Sequence, residues 1–395
     1  MKFAIPVLIV IALILRLANF TADPPLDQGQ GQSLSTDPPQ YVHYAANKAT
    51  FGSWDNETRI KYIWHRYNLY APLAYVVFRL FGPGLAQGNA LGVLFNILTI
   101  LLLFWILRYR FGDLFAAIGM FFLTINYEFV KIGRLSYLEN IQMPVLLLAI
   151  GLIDRMEKWK YAVFLSGFVT SIGIFFCKAS HLIPALGLML ALLIYDIFFR
   201  RAGKKIALFS QLQFIGGILP VGLFWMFFAY FPTVNLVWDG AISTAFFSTL
   251  SGLESVKSFI MYLFTLFLFN KFSLHSPVVI LLATFFVIGL ILKFYKKKSS
   301  LSPLEIMIPI CLIFLYGGTS VWEYRPIRYQ IVMLPLLSAA AAAFLYYLKS
   351  GELITKIKFK KHLPVFIAGL FLLSIFFVSI IGSYYLLNIP FSIKE

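Results

Sequence analysis

Four groups of ionisable side chains stand at the ends of long apolar runs, where a charge is costly unless it faces a cavity or a partner. The first is Asp23, Asp27, Asp37, His43, His65 and Arg66; the second is Lys131, Arg134 and Glu139; the third is Lys178 and His181; the fourth is Glu323, Tyr324, Arg325, Arg328 and Tyr329. Carboxylates set among cations suit two kinds of chemistry. A carboxylate within hydrogen-bond reach of a hydroxyl can take its proton as the oxygen attacks. Arginine and lysine grip phosphate through short, charge-assisted hydrogen bonds, so the cations fit an anionic headgroup. The same residues also have structural readings. Asp37, in Ser35-Thr36-Asp37-Pro38-Pro39-Gln40-Tyr41, is placed to start a turn or cap a helix. Arg134 and Glu139 are five residues apart, outside i,i+4 helical pairing, so each points to a different partner. Lys178 with His181, and the segment 324–329, have the composition of interfacial anchors.

Only a bundle of apolar helices can hold these groups together. The chain is 60% hydrophobic and 13% charged, with a mean hydropathy of +0.83, whereas a soluble domain carries about 25% charged residues. Runs long enough to cross the roughly 30 Å hydrocarbon core fall at 3–20, 88–107, 113–130, 138–153, 160–177, 181–199, 212–231, 277–293, 304–320, 328–348 and 363–388. Two short stretches, 70–82 and 258–271, read as interfacial helices, which gives eleven spans, or thirteen if both cross. The net charge of +16 sits in basic runs at 108–110, 155–160, 200–205, 293–298 and 349–361. Eleven spans put all five runs on one side, which the positive-inside rule makes the cytoplasm. The N-terminus is then cytoplasmic, and the four ionisable groups are extracytoplasmic. The first span reads as an uncleaved helix, too long for a signal peptide and without a small-residue cleavage site.

The expected fold is an all-α polytopic membrane protein in the inner or plasma membrane. Its parts are a first transmembrane helix (1–20), an extracytoplasmic loop with interfacial helices (21–87), transmembrane helices (88–231), a second extracytoplasmic loop and interfacial helix (232–276), and C-terminal spans (277–395) with no soluble domain after them. This composition excludes a soluble enzyme, a nucleic-acid partner and an outer-membrane barrel. The two cysteines, Cys177 and Cys311, cannot build a disulfide framework or a cysteine metal site.

Thr36-Asp37-Pro38-Pro39-Gln40-Tyr41, followed by Ala45-Ala46-Asn47 and Phe51-Gly52, resembles the first extracytoplasmic loop of the protein mannosyltransferase and aminoarabinose transferase-like family. These are membrane glycosyltransferases of the family 39 type, with the GT-C fold. Phe111-Gly112 before an alanine-rich span, the stretch Gly133-Arg134-Leu135-Ser136-Tyr137-Leu138-Glu139, Cys177-Lys178-Ala179-Ser180, and Arg328-Tyr329 with Pro335 resemble later family landmarks, in order, from residue 1 to about 350. The resemblance implies transfer of a sugar from a polyprenyl-phosphate donor to an acceptor hydroxyl, with inversion. It makes Asp37 the catalytic carboxylate and Glu139 a second acid. Tyr41, Arg134, Lys178, His181, Tyr324, Arg325, Arg328 and Tyr329 become substrate-binding residues. The implied partners are the lipid-linked donor, membrane lipids, and an acceptor that is a lipid, a glycan or a protein. No cofactor is required, and a divalent ion at Asp37, His43 and His65 has no metal-site spacing to support it. Pro38 stands where many members have a second acid, which weakens a metal or dyad role for Asp37. Two other classes fit a polytopic chain: a secondary transporter, and a non-catalytic protein that binds or assembles lipid-linked sugars. Transporters place charges near the midplane in repeated halves, whereas here Arg16 is the clearest mid-span charge and no repeat is visible.

Overall fold

The computed structural model describes residues 4–18, 37–54, 67–200, 203–233, 277–295, 301–320, 331–351 and 369, and among these the backbone is helical with no strand. The segments 258–271 and 363–388, except residue 369, lie outside the described residues. Helix α1 is Ala4–Leu17, α2 is Asp37–Phe51, α3 is Tyr70–Phe81 and α4 is Leu85–Thr124. Next come α5 (Tyr127–Gly133), α6 (Glu139–Ile153), α7 (Ala162–Ile172), α8 (Leu182–Ile194) and α9 (Lys204–Trp225). Helices α10 (Pro277–Tyr295), α11 (Pro303–Ser320) and α12 (Leu334–Ser350) complete the set. Helix α7 runs on through a π-helical turn at Gly173–Cys177, and a short 3-10 turn, Ala179–His181, leads into α8. Among the described residues, four helical stretches are long and apolar enough to cross a membrane: Leu85–Thr124, Ala179–Phe199, Lys204–Tyr230 and Ile331–Ser350.

Helix α4 is a hairpin. Gly112 has φ 80° and ψ 172°, a conformation nearly closed to any residue with a Cβ, so the chain reverses there. The two arms lie side by side: Gly119 packs on Leu107, and Arg16 touches both Asn96 and the Thr124 carbonyl. One continuous helical stretch thus supplies the span read at 88–107 and the part of 113–130 up to Thr124. The second arm stops at Thr124 because Asn126 starts a new helix, its side chain accepting the Phe129 N–H at 3.0 Å. Helix α9 begins at Lys204, ahead of the expected 212, since Ser210 and Gln211 turn inward and hide a polar interruption. Helix α3 has 12 residues, about 18 Å at 1.5 Å each, too short for the hydrocarbon core. It buries Tyr70, Ala71, Ala74 and Phe78 and leaves Val76, Leu80 and Phe81 exposed, as an interfacial helix does.

The described residues of the five basic runs lie at one end of the bundle. Arg110 pairs with Asp154 at 3.2 Å, and Asp154 also accepts the Leu304 N–H at 3.2 Å. Arg155 lies over the Trp105 ring at 3.6 Å and near Tyr109 at 5.0 Å. Tyr195, one turn before Arg200, donates its hydroxyl to Glu157 at 2.6 Å. Lys293 pairs with Glu305 at 3.2 Å, and Lys349 lies over Phe115 at 5.6 Å. Helix α11 is started there by a reciprocal cap. Ser302 N–H donates to Glu305 Oε2 at 2.6 Å, and Glu305 N–H donates to Ser302 Oγ at 3.3 Å.

Candidate active site

The opposite end holds two of the residues singled out for chemistry, Glu139 and Lys178. Glu139 opens α6 and is fully buried, and Lys178 stands just after the π turn with its side chain 16% exposed. Lys178 Nζ donates to Glu139 Oε1 at 2.7 Å. A buried carboxylate is tolerated because this ammonium neutralises it. Gln142, one turn along α6 on the same face, donates to the Lys178 carbonyl at 3.3 Å and to Ser180 Oγ at 3.2 Å. Asn140 donates to the Ile132 and Leu135 carbonyls at 3.0 and 2.7 Å, which anchors the second loop beside the pair. Tyr70, wholly buried at the start of α3, has Asn140, Cys177 and Glu139 for neighbours.

The remaining second-loop residues are held by α1 and α4. Arg134 donates to the Ala18 carbonyl at 2.9 Å, at the end of α1. Gly92 makes room for this loop: a Cβ there would sit 2.2 Å from the Leu135 carbonyl oxygen. Arg16 is fully buried, donates to Asn96, and lies over the Phe129 ring at 5.0 Å. Glu128 and Lys131 form a buried pair at 3.8 Å.

Two expected binding residues, Tyr41 and His181, and the weak metal candidate His43 occupy other surroundings. Tyr41, on α2, is buried in the core. His181 is buried with its ring against Gly173, where a Cβ would come within 2.2 Å of the imidazole. His43 is half-buried, with Nε2 3.1 Å from Asn47 Nδ2. Asp37 begins α2 directly before Pro38 and Pro39, residues suited to a first helical turn, but its side chain lies outside the described residues. So do Asp23, Asp27, His65, Arg66, Glu323, Tyr324, Arg325, Arg328 and Tyr329. Among the described residues no three of His, Cys, Asp and Glu come together as a metal site.

Sequence reasoning missed an apolar groove whose lining includes Phe176 of the π turn. It has a volume of about 840 Å³ and is lined by Trp54, Tyr67, Asn68, Leu69, Ala71 and Pro72 from the first loop and α3. Phe168, Ile172 and Phe176 of α7 and its π turn, with Pro220, Val221, Phe224 and Phe228 of α9 and its extension, form the other walls. Phe176 is two residues before Lys178. No local pattern could have revealed this groove, because its walls come from three separate parts of the chain, 54–72, 168–176 and 220–228. Gln142 was legible in principle, three residues from Glu139 and therefore on its face.

No protein-family model matches the chain, and no curated protein sequence does. Solved structures do. ArnT from Cupriavidus metallidurans in the apo state aligns with a TM-score of 0.58 at 16% identity, over 86% of this chain and 59% of that one. ArnT bound to undecaprenyl phosphate aligns at 0.55 and 16% identity, over 87% and 59%. The archaeal oligosaccharyltransferase AglB from Archaeoglobus fulgidus, in complex with an inhibitory peptide and a dolichol-phosphate, aligns at 0.59 and 12% identity, over 97% and 55%. The chain spans little more than half the length of each. At such identities the likeness is one of architecture: the chain has the GT-C fold.

Proposed function

We propose that this protein is a GT-C glycosyltransferase that moves a sugar from a polyprenyl-phosphate donor to an acceptor hydroxyl on the extracytoplasmic face. The observation that carries the reading is an ammonium, Lys178, oriented by a buried carboxylate and set two residues after Phe176, which lines an apolar groove. That pairing of a cation with an oily channel suits a lipid phosphate: the tail lies in the groove and the phosphate meets Lys178. The likeness to ArnT bound to undecaprenyl phosphate, and to AglB with a dolichol-phosphate, supports the same ligand class here.

In this reading Asp37 takes the acceptor proton while the acceptor oxygen forms a bond to the anomeric carbon. The bond from that carbon to the phosphate oxygen breaks, and its electron pair leaves on the lipid phosphate. One displacement inverts the anomeric centre. The phosphate gains negative charge as it departs, so Lys178 holds the transition state more tightly than the ground state. Glu139 keeps Lys178 charged and aimed, and Arg134, Arg325 and Arg328 are proposed as further phosphate contacts.

Lipid extracts test this. Cells lacking the protein should accumulate a polyprenyl-phosphate sugar that the wild-type gene clears and an Asp37→Asn gene does not. Unchanged lipid-linked sugars in the deletion strain would overturn the proposal.

A further inference from the structure

We propose that Asn68 is a positioning residue that couples filling of the lipid groove to the alignment of α2 with the Lys178 turn. The inference rests on the donor reading above. Asn68 is buried, and its side chain joins two elements. Its Nδ2 donates to the Tyr41 carbonyl of α2 at 3.2 Å, and its Oδ1 accepts the Ala71 N–H in the first turn of α3 at 2.9 Å. The next residue reaches a third element. Leu69 N–H donates to the Phe176 carbonyl at 2.7 Å, in the π turn that ends one residue before Lys178. Three residues in sequence, Asn68 to Tyr70, therefore join the helix that begins at Asp37, the turn that carries Lys178, and the neighbourhood of Glu139.

These tethers are also groove wall. Asn68, Leu69, Ala71 and Phe176 all line the cavity. A tail that fills it presses on the very residues that hold the two halves of the site together. The element pressed on is a π turn, a local departure from α-helical bonding that often marks functional sites. Binding energy from the unreactive tail then sets the geometry at the reacting end. The cavity of about 840 Å³ lies within the ~300–1,000 Å³ of drug-sized ligand pockets. Several isoprene units are needed to fill it, and a single unit leaves it mostly empty.

Hydrogen exchange on the purified full chain in nanodiscs tests this, with undecaprenyl phosphate, dimethylallyl phosphate and inorganic phosphate as probes. Saturating undecaprenyl phosphate should slow exchange by about tenfold both in α2 and across residues 173–178. Dimethylallyl phosphate and inorganic phosphate should leave both segments near their unliganded rates. In Asn68→Ala, undecaprenyl phosphate should still protect 173–178 but no longer α2. A purely structural role would lower protection with and without ligand alike. Equal protection by the long and short phosphates in wild type, which needs no variant, would overturn the coupling while leaving the donor reading intact. So would protection of α2 that survives in Asn68→Ala. No saturable binding of undecaprenyl phosphate at all would remove the donor reading and this inference together.

Discussion

Lys178 and Glu139 are worth less as a stabilising pair than as an oriented one. Two charges taken out of water recover little from each other, yet removing one partner strands the other. Lys178→Met leaves the Glu139 carboxylate buried and alone, so it should destabilise the protein by about 3–5 kcal/mol. Lys178→Met with Glu139→Leu should regain most of that loss in thermal unfolding, while undecaprenyl phosphate binding stays impaired. A double variant no more stable than Lys178→Met would show that the pair is embedded in a larger polar network. The two acids separate by kinetics. Asp37→Asn should bind donor normally and lose transfer by at least about 10², whereas Glu139→Gln should weaken binding and transfer together. The opposite pattern would exchange their roles.

At the scale of elements, hairpin α4 and the cap of α11 make clean tests. Gly112→Ala places a Cβ in a conformation that only glycine adopts freely, at a cost of about 1–3 kcal/mol. It should lower the thermal midpoint and loosen the Arg108–Asp113 pair, 2.6 Å apart across the turn. Ser302→Ala removes half of the reciprocal cap and should cost about 1 kcal/mol; no change in the unfolding midpoint would mean that Glu305 and Asp154 suffice at that helix start. Both features were legible in the chain: Phe111-Gly112 between two apolar runs, and Ser302-x-x-Glu305 before a third. The position of α5 was not. The run at 113–130 is mostly apolar, and the break is marked only by Asn126, whose side chain caps the next helix, with Thr124 and Glu128 on either side.

Across the described residues, the basic runs share one end and the Lys178–Glu139 pair lies at the other. Cysteine placed at Ser53 should react with an impermeant reagent in intact cells, and cysteine at Lys160 should not. Equal labelling would refute the extracytoplasmic site. Composition and the spacing of charges were enough to determine a polytopic helical bundle, because crossing a bilayer imposes length and apolarity on each span. They also brought Glu139 and Lys178 to the same end of the bundle. Contact between them, the burial of Tyr41 and His181, the tether from Asn68 to α2, and the groove were decided only by tertiary structure. Each depends on which helices become neighbours. That is settled by packing among surfaces that are almost equally apolar, where periodicity carries little information.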